Sequence, residues 1–197
     1  MPPTRPHASN QVSEIIMLQL YTMTIADVAI IKQWPPYPPD MAELDYALRD
    51  HGWLDECFGQ PAHLCLTAWH DSTLIGFSML LHINHSAEFR IALKADQVGK
   101  GWGEAITRQI LELGFTHLHL NVIKLIVREN HLRAQRLYKK LGFQETGRCT
   151  QPANGKDTRF VEMEILQSPN KQFDGKPDTP IHVLIDTDVQ LKLKIPS

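Results

Sequence analysis

Three glycines, Gly99, Gly101 and Gly103, stand at alternate positions directly before an amphipathic helical pattern. The N-terminus of a helix carries unpaired N–H groups and the positive end of the helix dipole, so it attracts anions. Glycine also lets a phosphate approach the backbone closely and permits positive φ angles. The spacing therefore indicates either a phosphate site or a tight turn between a strand and a helix.

Two common nucleotide motifs do not fit this stretch. The third glycine of the dinucleotide motif G-x-G-x-x-G would fall at Glu104, and the chain has no G-x-x-x-x-G-K-[ST] phosphate loop. What remains is the pattern G-x-G-x-G, which by itself leaves both interpretations open.

The histidines and cysteines do not form a recognisable metal motif. His117 and His119 alternate as two ligands would, but no third ligand follows at a sensible spacing. Cys57, Cys65 and Cys149 have no motif spacing, and an odd number of thiols cannot all pair internally. We therefore expect structural thiols in a reducing, cytoplasmic compartment and no bound metal.

Composition limits the classes of partner. The 197 residues carry a formal net charge of −2, which gives no general nucleic-acid footprint. No apolar run reaches the roughly 18 residues of a membrane span. The polar, proline-rich start predicts a flexible leader over 1–14. Residues 167–197 predict a C-terminal extension with a linker and a terminal hairpin.

The first half of the chain alternates extended and helical patterns. Thr24, with Asp27 three residues later, predicts an N-capped helix that the following "PPYPP" ends. The stretch "DSTL" predicts a hairpin between two strands. Predicted strands cover 15–23, 63–70, 74–83 and 87–93, and predicted helices cover 25–34 and 41–58.

The second half contains one central strand–loop–helix unit. Helical spacing covers 104–118 and 131–142, and a continuous β-branched strand lies between them at 122–127. Asn154-Gly155 signals a further hairpin, with a loop that we expect to exceed two residues. The order of elements predicts a mixed α/β domain.

The region from "AEFRIAL" to "GFQETGR" resembles the core of the GNAT acyltransferase family. The motifs that carry the resemblance are "GKGWG" before a helix and "AQRLYKKLGFQETG". "LGF" ending at Phe115, followed by "THLHLNVIKL", is similar to the branch of ribosomal-protein N-terminal and polyamine acetyltransferases. The resemblance covers about 16–166. It implies one domain over 15–166 with a mixed, mostly antiparallel central sheet flanked by helices.

The resemblance implies acetyl-CoA as co-substrate. In the family the strand before the glycine loop pairs with the pantetheine arm, and the loop amides hold the pyrophosphate. By position, the expected cofactor-binding residues are Ile91, Ala92, Leu93, Val98, Gly99, Lys100, Gly101, Trp102, Gly103 and Glu104. Two positions depart from the family pattern. Val98 replaces the usual Gln or Arg, and the usual Asn falls at His131, with Asn130 one place early, so both are cofactor candidates.

The resemblance also supplies catalytic candidates for acetyl transfer to an amine. Tyr138 matches the family's tyrosine, which lies near the thioester sulfur and is our candidate general acid. Glu88 begins the strand that leads to the loop, where the family often places a base. His82 and His85 lie just upstream and are alternative bases.

The stretch over 40–56 is rich in Asp and Glu, which favours a cationic acceptor or is simply a solvated surface. Four aromatic residues nearby form either an acceptor wall, core or dimer contacts: Trp34, Tyr37, Tyr46 and Trp53. The hypothesis is direct acetyl transfer to a primary amine of a small cationic molecule. The alternatives are a peptide N-terminal acetyltransferase and a non-catalytic acyl-CoA-binding regulator, and a homodimer is left open.

Overall fold

The computed structural model describes residues 18–81, 84–167 and 182–184. In these residues the chain forms one mixed sheet with the strand order β6-β7-β5-β4-β3-β2-β1-β8. The strands are β1 (Leu18–Thr22), β2 (Leu64–His70), β3 (Thr73–Leu81), β4 (Ser86–Leu93), β5 (Val122–Arg128), β6 (Gln144–Ala153), β7 (Lys156–Leu166) and β8 (His182–Leu184). Only the β4–β5 and β1–β8 pairs among them are parallel. The predicted mixed, mostly antiparallel sheet is confirmed.

Helices cover both faces of the sheet. They are α1 (Ile25–Ile31), α2 (Trp53–Cys57), α3 (Trp102–Glu112) and α4 (Leu132–Leu141). The apolar residues of α3 and α4 form one buried cluster with the sheet, and those of α1 and α2 form a second cluster. Because successive residues of a strand point to opposite faces, β4 contributes side chains to both clusters.

α1 begins as its sequence predicts. The Thr24 side chain accepts a hydrogen bond from the Asp27 N–H, and the Asp27 carboxylate accepts one from the Thr24 N–H in return. This capping box satisfies backbone donors that the helix leaves free. The helix ends at Ile31, earlier than predicted, and "PPYPP" follows in an irregular conformation.

The predicted helix over 41–58 is wrong. The chain forms a 3₁₀ segment, Pro39–Ala47, and then the short helix α2. Between them His51 has a φ of 61°, and a Cβ at Gly52 would lie 2.0 Å from the carbonyl oxygen of Tyr46. A left-handed residue followed by a glycine in close backbone contact ends a continuous helix.

The central strand–loop–helix unit is confirmed. α3 continues through a π-helical turn, Leu113–His117, in which the N–H of Leu118 donates to the carbonyl of Leu113 at 3.0 Å. β5 and α4 then follow within a residue of their predicted limits. Gly142 ends α4 with a φ of 103°, the left-handed C-terminal conformation that glycine favours.

Both predicted hairpins are confirmed, but the loop of the second is shorter than expected. Ala153 pairs with Lys156, so Asn154 and Gly155 alone form the turn. Their φ angles of 58° and 70° are those of a two-residue type I′ turn, which Asn-Gly favours.

The C-terminal extension reaches the sheet at one point. β8 pairs in parallel with β1, Gln19 opposite His182, and so extends the sheet at that edge. The predicted leader, the rest of the extension and its predicted hairpin lie outside the described residues, apart from β8. Every helix of the described part of the chain is too short or too polar to cross a lipid bilayer.

Candidate active site

β4 and β5 separate from each other partway along their length. Their parallel pairing joins Ser86 to Val122 and ends where Glu88 meets Lys124. β4 continues to Leu93 beside β3, and β5 continues beside β7, with no further pair between them in the described chain. The sheet therefore contains an opening between β4 and β5. Beyond Glu88, β4 is hydrogen-bonded only to β3, and beyond Lys124, β5 is hydrogen-bonded only to β7, among the described strands.

One edge of β4 presents backbone groups to this opening. The N–H of Lys94 donates to the carbonyl of Ile75 at 2.9 Å, which fixes the even-numbered residues of β4 as those hydrogen-bonded to β3. The N–H and C=O groups of the odd-numbered residues point the other way, toward β5. These residues are Phe89, Ile91 and Leu93.

The predicted arm-binding residues are thus not equivalent. Ile91 and Leu93 direct their backbone groups into the opening, whereas those of Ala92 pair with Phe77 of β3. Phe89 shares the orientation of Ile91, although sequence reasoning did not select it. Strand alternation would have found Phe89 only once the hydrogen-bonded edge of β4 was known.

The glycine loop leads from β4 into α3. Gly99 and Gly101 have φ angles of 93° and 90°, so both adopt the left-handed conformation, and Gly101 is the N-cap of α3. A Cβ at Gly103 would lie 3.5 Å from Cδ2 of Leu137, where α4 packs against this turn. The loop therefore exposes the N-terminal amides of α3, which no side chain caps.

The charges beside this loop are largely paired. Glu104 contacts Lys140 at 2.8 Å and Arg108 at 2.9 Å, and its hydrogen bond to Lys140 lowers the pKa of its carboxyl below the ordinary value. Lys100 donates to the side chain of Gln97 at 3.3 Å. Glu104 therefore turns its charge toward α4, and its backbone N–H donates to the carbonyl of Gly101 at 3.1 Å.

Two neighbouring side chains of the loop are apolar or unpaired. Val98 ends a short 3₁₀ turn, Ala95–Gln97, and supplies no polar side chain at the position where the family resemblance expects one. Nε1 of Trp102 is buried without a hydrogen-bond acceptor among the described residues, and the Trp102 ring lies 4.4 Å from the ring of His70. An orphaned donor at this loop is one that a ligand can satisfy.

Tyr138 lies on the α3–α4 face of the sheet. It belongs to the same buried cluster as Phe89 and Leu125, which flank the start of the opening. Its ring meets that of Phe143 edge-on at 5.6 Å, and burial raises the pKa of its phenol to about 12. The hydroxyl is therefore protonated at neutral pH, and it has no hydrogen-bond partner in the described structure.

Glu88 lies at the point where β4 and β5 separate, on the opposite face. It shares that face with Arg90 and Ala92, because residues two apart in a strand point the same way. Nε of Arg90 donates to Oε1 of Glu88 at 2.7 Å, and the Arg90 guanidinium lies 5.8 Å from the ring centroid of Trp53. Glu88 is half-buried on the side of α2 and is held by a cation.

The structure thus places the two catalytic candidates on the two faces of one opening, with Tyr138 on one side and Glu88 on the other. His85 is exposed and precedes β4, three residues before Glu88. His82 lies outside the described residues.

Asn130 and His131 stand at the start of α4, and Asn130 contacts the acidic segment. The amide of Asn130 donates to the carboxylate of Glu43 at 3.2 Å, and Arg128 donates to the backbone carbonyl of Glu43 at 3.3 Å. His131 is the N-cap of α4 without a side-chain cap bond, and burial lowers the pKa of its imidazole. Its ring is therefore neutral at pH 7.

The segment over 37–45 spans the opening on the α1–α2 face. The hydroxyl of buried Tyr37 donates to the carbonyl of Leu93 on β4, while its N–H donates to Oδ1 of Asp45 at 2.9 Å. Near its other end Glu43 is held by Arg128, the last residue of β5, and by Asn130, which follows it. Sequence reasoning grouped Tyr37 with the aromatic residues of this region, and no local pattern indicates a contact 56 residues away.

Glu43 also lines a cavity of about 370 Å³ beside the end of β5 and the β6–β7 turn. Other acidic residues nearby have cationic partners: Lys32 contacts Asp50 and Asp55, and Arg159 contacts Glu129 at 3.6 Å. In the described part of the chain the carboxylate of Glu43 bonds only to the neutral amide of Asn130. Glu43 therefore has no direct ion pair, in a cavity whose lining combines three acidic residues with the cations Arg128, Lys156 and Arg159.

The described residues contain no cluster of three or more side chains suited to a metal ion. His117 contacts Thr116 through its Nδ1, and His119 is a left-handed residue with a φ of 51°. The cysteines are all free, and two of them, Cys57 and Cys65, are buried.

An opening between two parallel strands, with a glycine loop and an uncapped helix N-terminus at its end, suits an extended ligand that ends in a phosphate group. The model of the GNAT acetyltransferase family matches residues 26–143, more than half of the chain. The chain therefore belongs to the GNAT family.

Two curated relatives are spermidine N(1)-acetyltransferases. The protein from Vibrio cholerae is 36% identical over 100 residues, which cover 48% of this chain and 58% of the relative. That from Escherichia coli K12 is 30% identical over 125 residues, which cover 61% of this chain and 66% of the relative. The matched region thus spans less than two thirds of either relative.

A solved structure shares the fold. A chimera of the spermidine N-acetyltransferase SpeG from Vibrio cholerae and hSSAT is 27% identical, with a TM-score of 0.65. The match covers 76% of this chain and 95% of the chimera.

Proposed function

We propose that this protein transfers an acetyl group from acetyl-CoA to a primary amine of a small polycation such as a polyamine. The observation that carries the proposal is the opening between β4 and β5, which ends at the glycine loop and has Tyr138 and Glu88 on its two faces. Family membership and the similarity to spermidine acetyltransferases favour the same reaction.

The residues present fit acetyl-CoA. The backbone groups of Ile91 and the N–H of Leu93 suit the amides of an extended pantetheine arm, as an added strand would, while the carbonyl of Leu93 accepts from Tyr37. The left-handed glycines and the uncapped start of α3 suit a pyrophosphate.

Amine attack requires a neutral nucleophile. An alkylammonium of pKa about 10.4 loses its proton at pH 7 at a cost of about 4.6 kcal/mol. Glu88 accepts that proton, directly or through a water, because its Oε2 has no partner in the described structure while Arg90 holds Oε1. Arg90 fixes the direction of the carboxylate and remains on the acceptor face.

When bound, acetyl-CoA supplies an activated thioester. The odd-numbered N–H groups of β4 donate hydrogen bonds to the charge that develops on its carbonyl oxygen. The amine nitrogen would bond to the thioester carbon as the C–S bond breaks, and Tyr138 would donate a hydrogen bond to the departing thiolate. The second proton of the attacking nitrogen would pass to that thiolate or to water. A thiol has a pKa of about 8.5, so a phenol at about 12 stabilises the thiolate mainly by hydrogen bonding rather than by complete proton transfer.

The acceptor enters from the α1–α2 face, where the segment over 37–45 crosses the opening. Glu43 and Asp40 are the carboxylates of this segment that lack a cationic partner in the described structure. Glu43, which lines the cavity, binds a distal ammonium of the acceptor. The aromatic ring of Trp53 on the same face already holds the Arg90 cation. The carboxylate of Glu43 favours an acceptor with a second cationic group over a peptide N-terminus whose side chains are uncharged.

The test is release of the coenzyme A thiol from acetyl-CoA with polyamines, aminoglycosides and short peptides, with mass spectrometry of each product. We expect acetylated polyamine in amounts equal to the thiol released. Acetylation of peptide N-termini alone would replace this proposal with the peptide N-terminal acetyltransferase. Cofactor binding without turnover of any amine would leave the non-catalytic acyl-CoA binder.

A further inference from the structure

One cationic side chain lies over the glycine loop and takes no part in the contacts described so far. A Cβ at Gly99 would lie 3.4 Å from Nη2 and 3.5 Å from Nη1 of Arg133. Arg133 belongs to the first turn of α4, so a residue from a different helix reaches the loop that follows β4. Neither the glycine spacing nor the family motif selects this residue.

Arg133 is the first of three contacts that one ridge of α4 makes along the loop. Arg133, Leu137 and Lys140 lie at i, i+4 and i+7, which places them on one face of the helix. Leu137 packs at Gly103 and Lys140 bonds to Glu104. The ridge therefore follows the loop from Gly99 to the first turn of α3, with Arg133 at the outer end.

Two cations at this loop, Arg133 and Lys100, have no carboxylate partner in the described structure, and of these Arg133 also lacks a side-chain hydrogen bond. Arg108 and Lys140 neutralise Glu104, and Lys100 donates to Gln97. Arg133 is exposed and makes no ion pair or hydrogen bond to another described residue. The charge of Arg133 also acts on the neighbouring His131. Together with the charge of Arg128 it adds to the effect of burial in lowering the pKa of that imidazole.

We infer that Arg133 binds the pyrophosphate of coenzyme A, in place of the polar side chain that Val98 does not supply at the start of the loop. A guanidinium carries paired N–H donors that match two oxygens of a phosphate group. Gly99 lies beneath it in the left-handed conformation, so the loop amides and Arg133 face the same space. The inference rests on the proposed function, since it names a residue of the same cofactor site.

The experiment measures dissociation constants by calorimetry for coenzyme A and for dephospho-coenzyme A, which keeps the pyrophosphate but lacks the 3′-phosphate. The proteins are the full-length wild type, Arg133→Gln, Arg133→Lys and Lys139→Gln. Lys139 is the matched control, because it lies on the same helix but points to Glu145 on β6, at 3.8 Å. Thermal unfolding of each variant shows that it is folded.

Loss of a charged hydrogen bond to phosphate at an exposed site predicts about tenfold weaker binding of both ligands by Arg133→Gln. Arg133→Lys retains the charge without the paired donors, so its dissociation constants should lie between those of wild type and Arg133→Gln. The dissociation constants of Lys139→Gln should stay within about twofold of wild type. The Arg133→Gln defect shrinks at high salt, as the interaction of an exposed charge must.

Three results overturn the inference. If Arg133→Gln binds both ligands as tightly as Lys139→Gln does, Arg133 does not contact the cofactor. The proposed function is unaffected by that result. A defect for coenzyme A but not for dephospho-coenzyme A assigns Arg133 to the 3′-phosphate and not to the pyrophosphate. A folded wild type that binds neither ligand removes the proposed function together with the inference.

Discussion

Gly101→Ala tests whether the backbone shape of the glycine loop is what binds the cofactor. Gly101 has a φ of 90°, and nothing lies within 4 Å of the place that a Cβ would take. The added methyl group therefore meets no neighbour in the free protein. The remaining cost is that of holding alanine in the left-handed conformation, about 1–2 kcal/mol. For a chain of this size the corresponding loss in Tm is about 2–8 °C.

Gly59→Ala is the matched control. Gly59 has a φ of 81°, also has nothing within 4 Å of a Cβ, and lies between α2 and β2, away from the loop. Both substitutions introduce the same backbone strain, which lowers the Tm in full for Gly59→Ala and only in part for Gly101→Ala, whose loop relieves some of it. Only Gly101→Ala should weaken binding of coenzyme A, since relief of the strain turns the first amides of α3 away from the pyrophosphate. The strain sets the loss at about 5- to 30-fold.

The assays are thermal unfolding and calorimetric titration with coenzyme A. Equal losses of Tm together with equal affinities for the two variants would refute the reasoning, because the loop would then be a structural turn. A loss of affinity in Gly59→Ala as large as that in Gly101→Ala would point to general destabilisation and would refute it as well.

Two further predictions follow from the acceptor side and from the buried phenol. Glu43→Gln should raise the KM for spermidine about 2- to 5-fold, the effect of one partly screened charge, and leave the affinity for coenzyme A unchanged. Asp50→Asn, which removes an exposed charge from the same acidic stretch, should change neither the KM nor the affinity. Equal increases of KM in the two variants would mean that the acidic surface acts as a diffuse field. Burial raises the pKa of Tyr138 from 10.0 to about 12. The stability that the protonated phenol contributes is therefore fully present below pH 10 and is lost as the pH rises toward 12. Urea unfolding at pH 9 and pH 11 should therefore show a loss larger in wild type than in Tyr138→Phe by about 1.4 kcal/mol, and an equal loss would contradict the burial of the ionisable hydroxyl.

The sequence predicts the elements whose signal is local. The hydrophobic spacing of α3 and α4, the capping box at Thr24 and the Asn154-Gly155 turn all describe interactions within a few residues, and the structure confirms them. The segment over 41–58 fails for the opposite reason. Its composition suits a helix, but a left-handed His51 and the close approach of Gly52 to the carbonyl of Tyr46 interrupt it, and helix propensity does not encode either feature.

The candidate site divides in the same way. Glycine spacing together with the family resemblance selects the loop, the strand before it, Tyr138 and Glu88. It does not reveal that the backbone of Ala92 is turned toward β3, which follows from the register with Phe77. The contacts of Tyr37 with Leu93 and of Arg133 with the loop join residues far apart in the chain, so no spacing rule predicts them.

The most direct test of the central claim is the turnover number for acetylation of spermidine by Tyr138→Phe, measured beside its affinity for coenzyme A and beside Tyr21→Phe. Tyr21 lies on β1, where its hydroxyl donates to Gln19 at 2.8 Å, and serves as the control. The account predicts a kcat about 100-fold or more below wild type for Tyr138→Phe, with the dissociation constant of coenzyme A within about threefold and Tyr21→Phe active. An unchanged kcat in Tyr138→Phe would contradict the assignment of the phenol to the leaving sulfur, and a wild type that binds coenzyme A but acetylates no amine would contradict the proposed function as a whole.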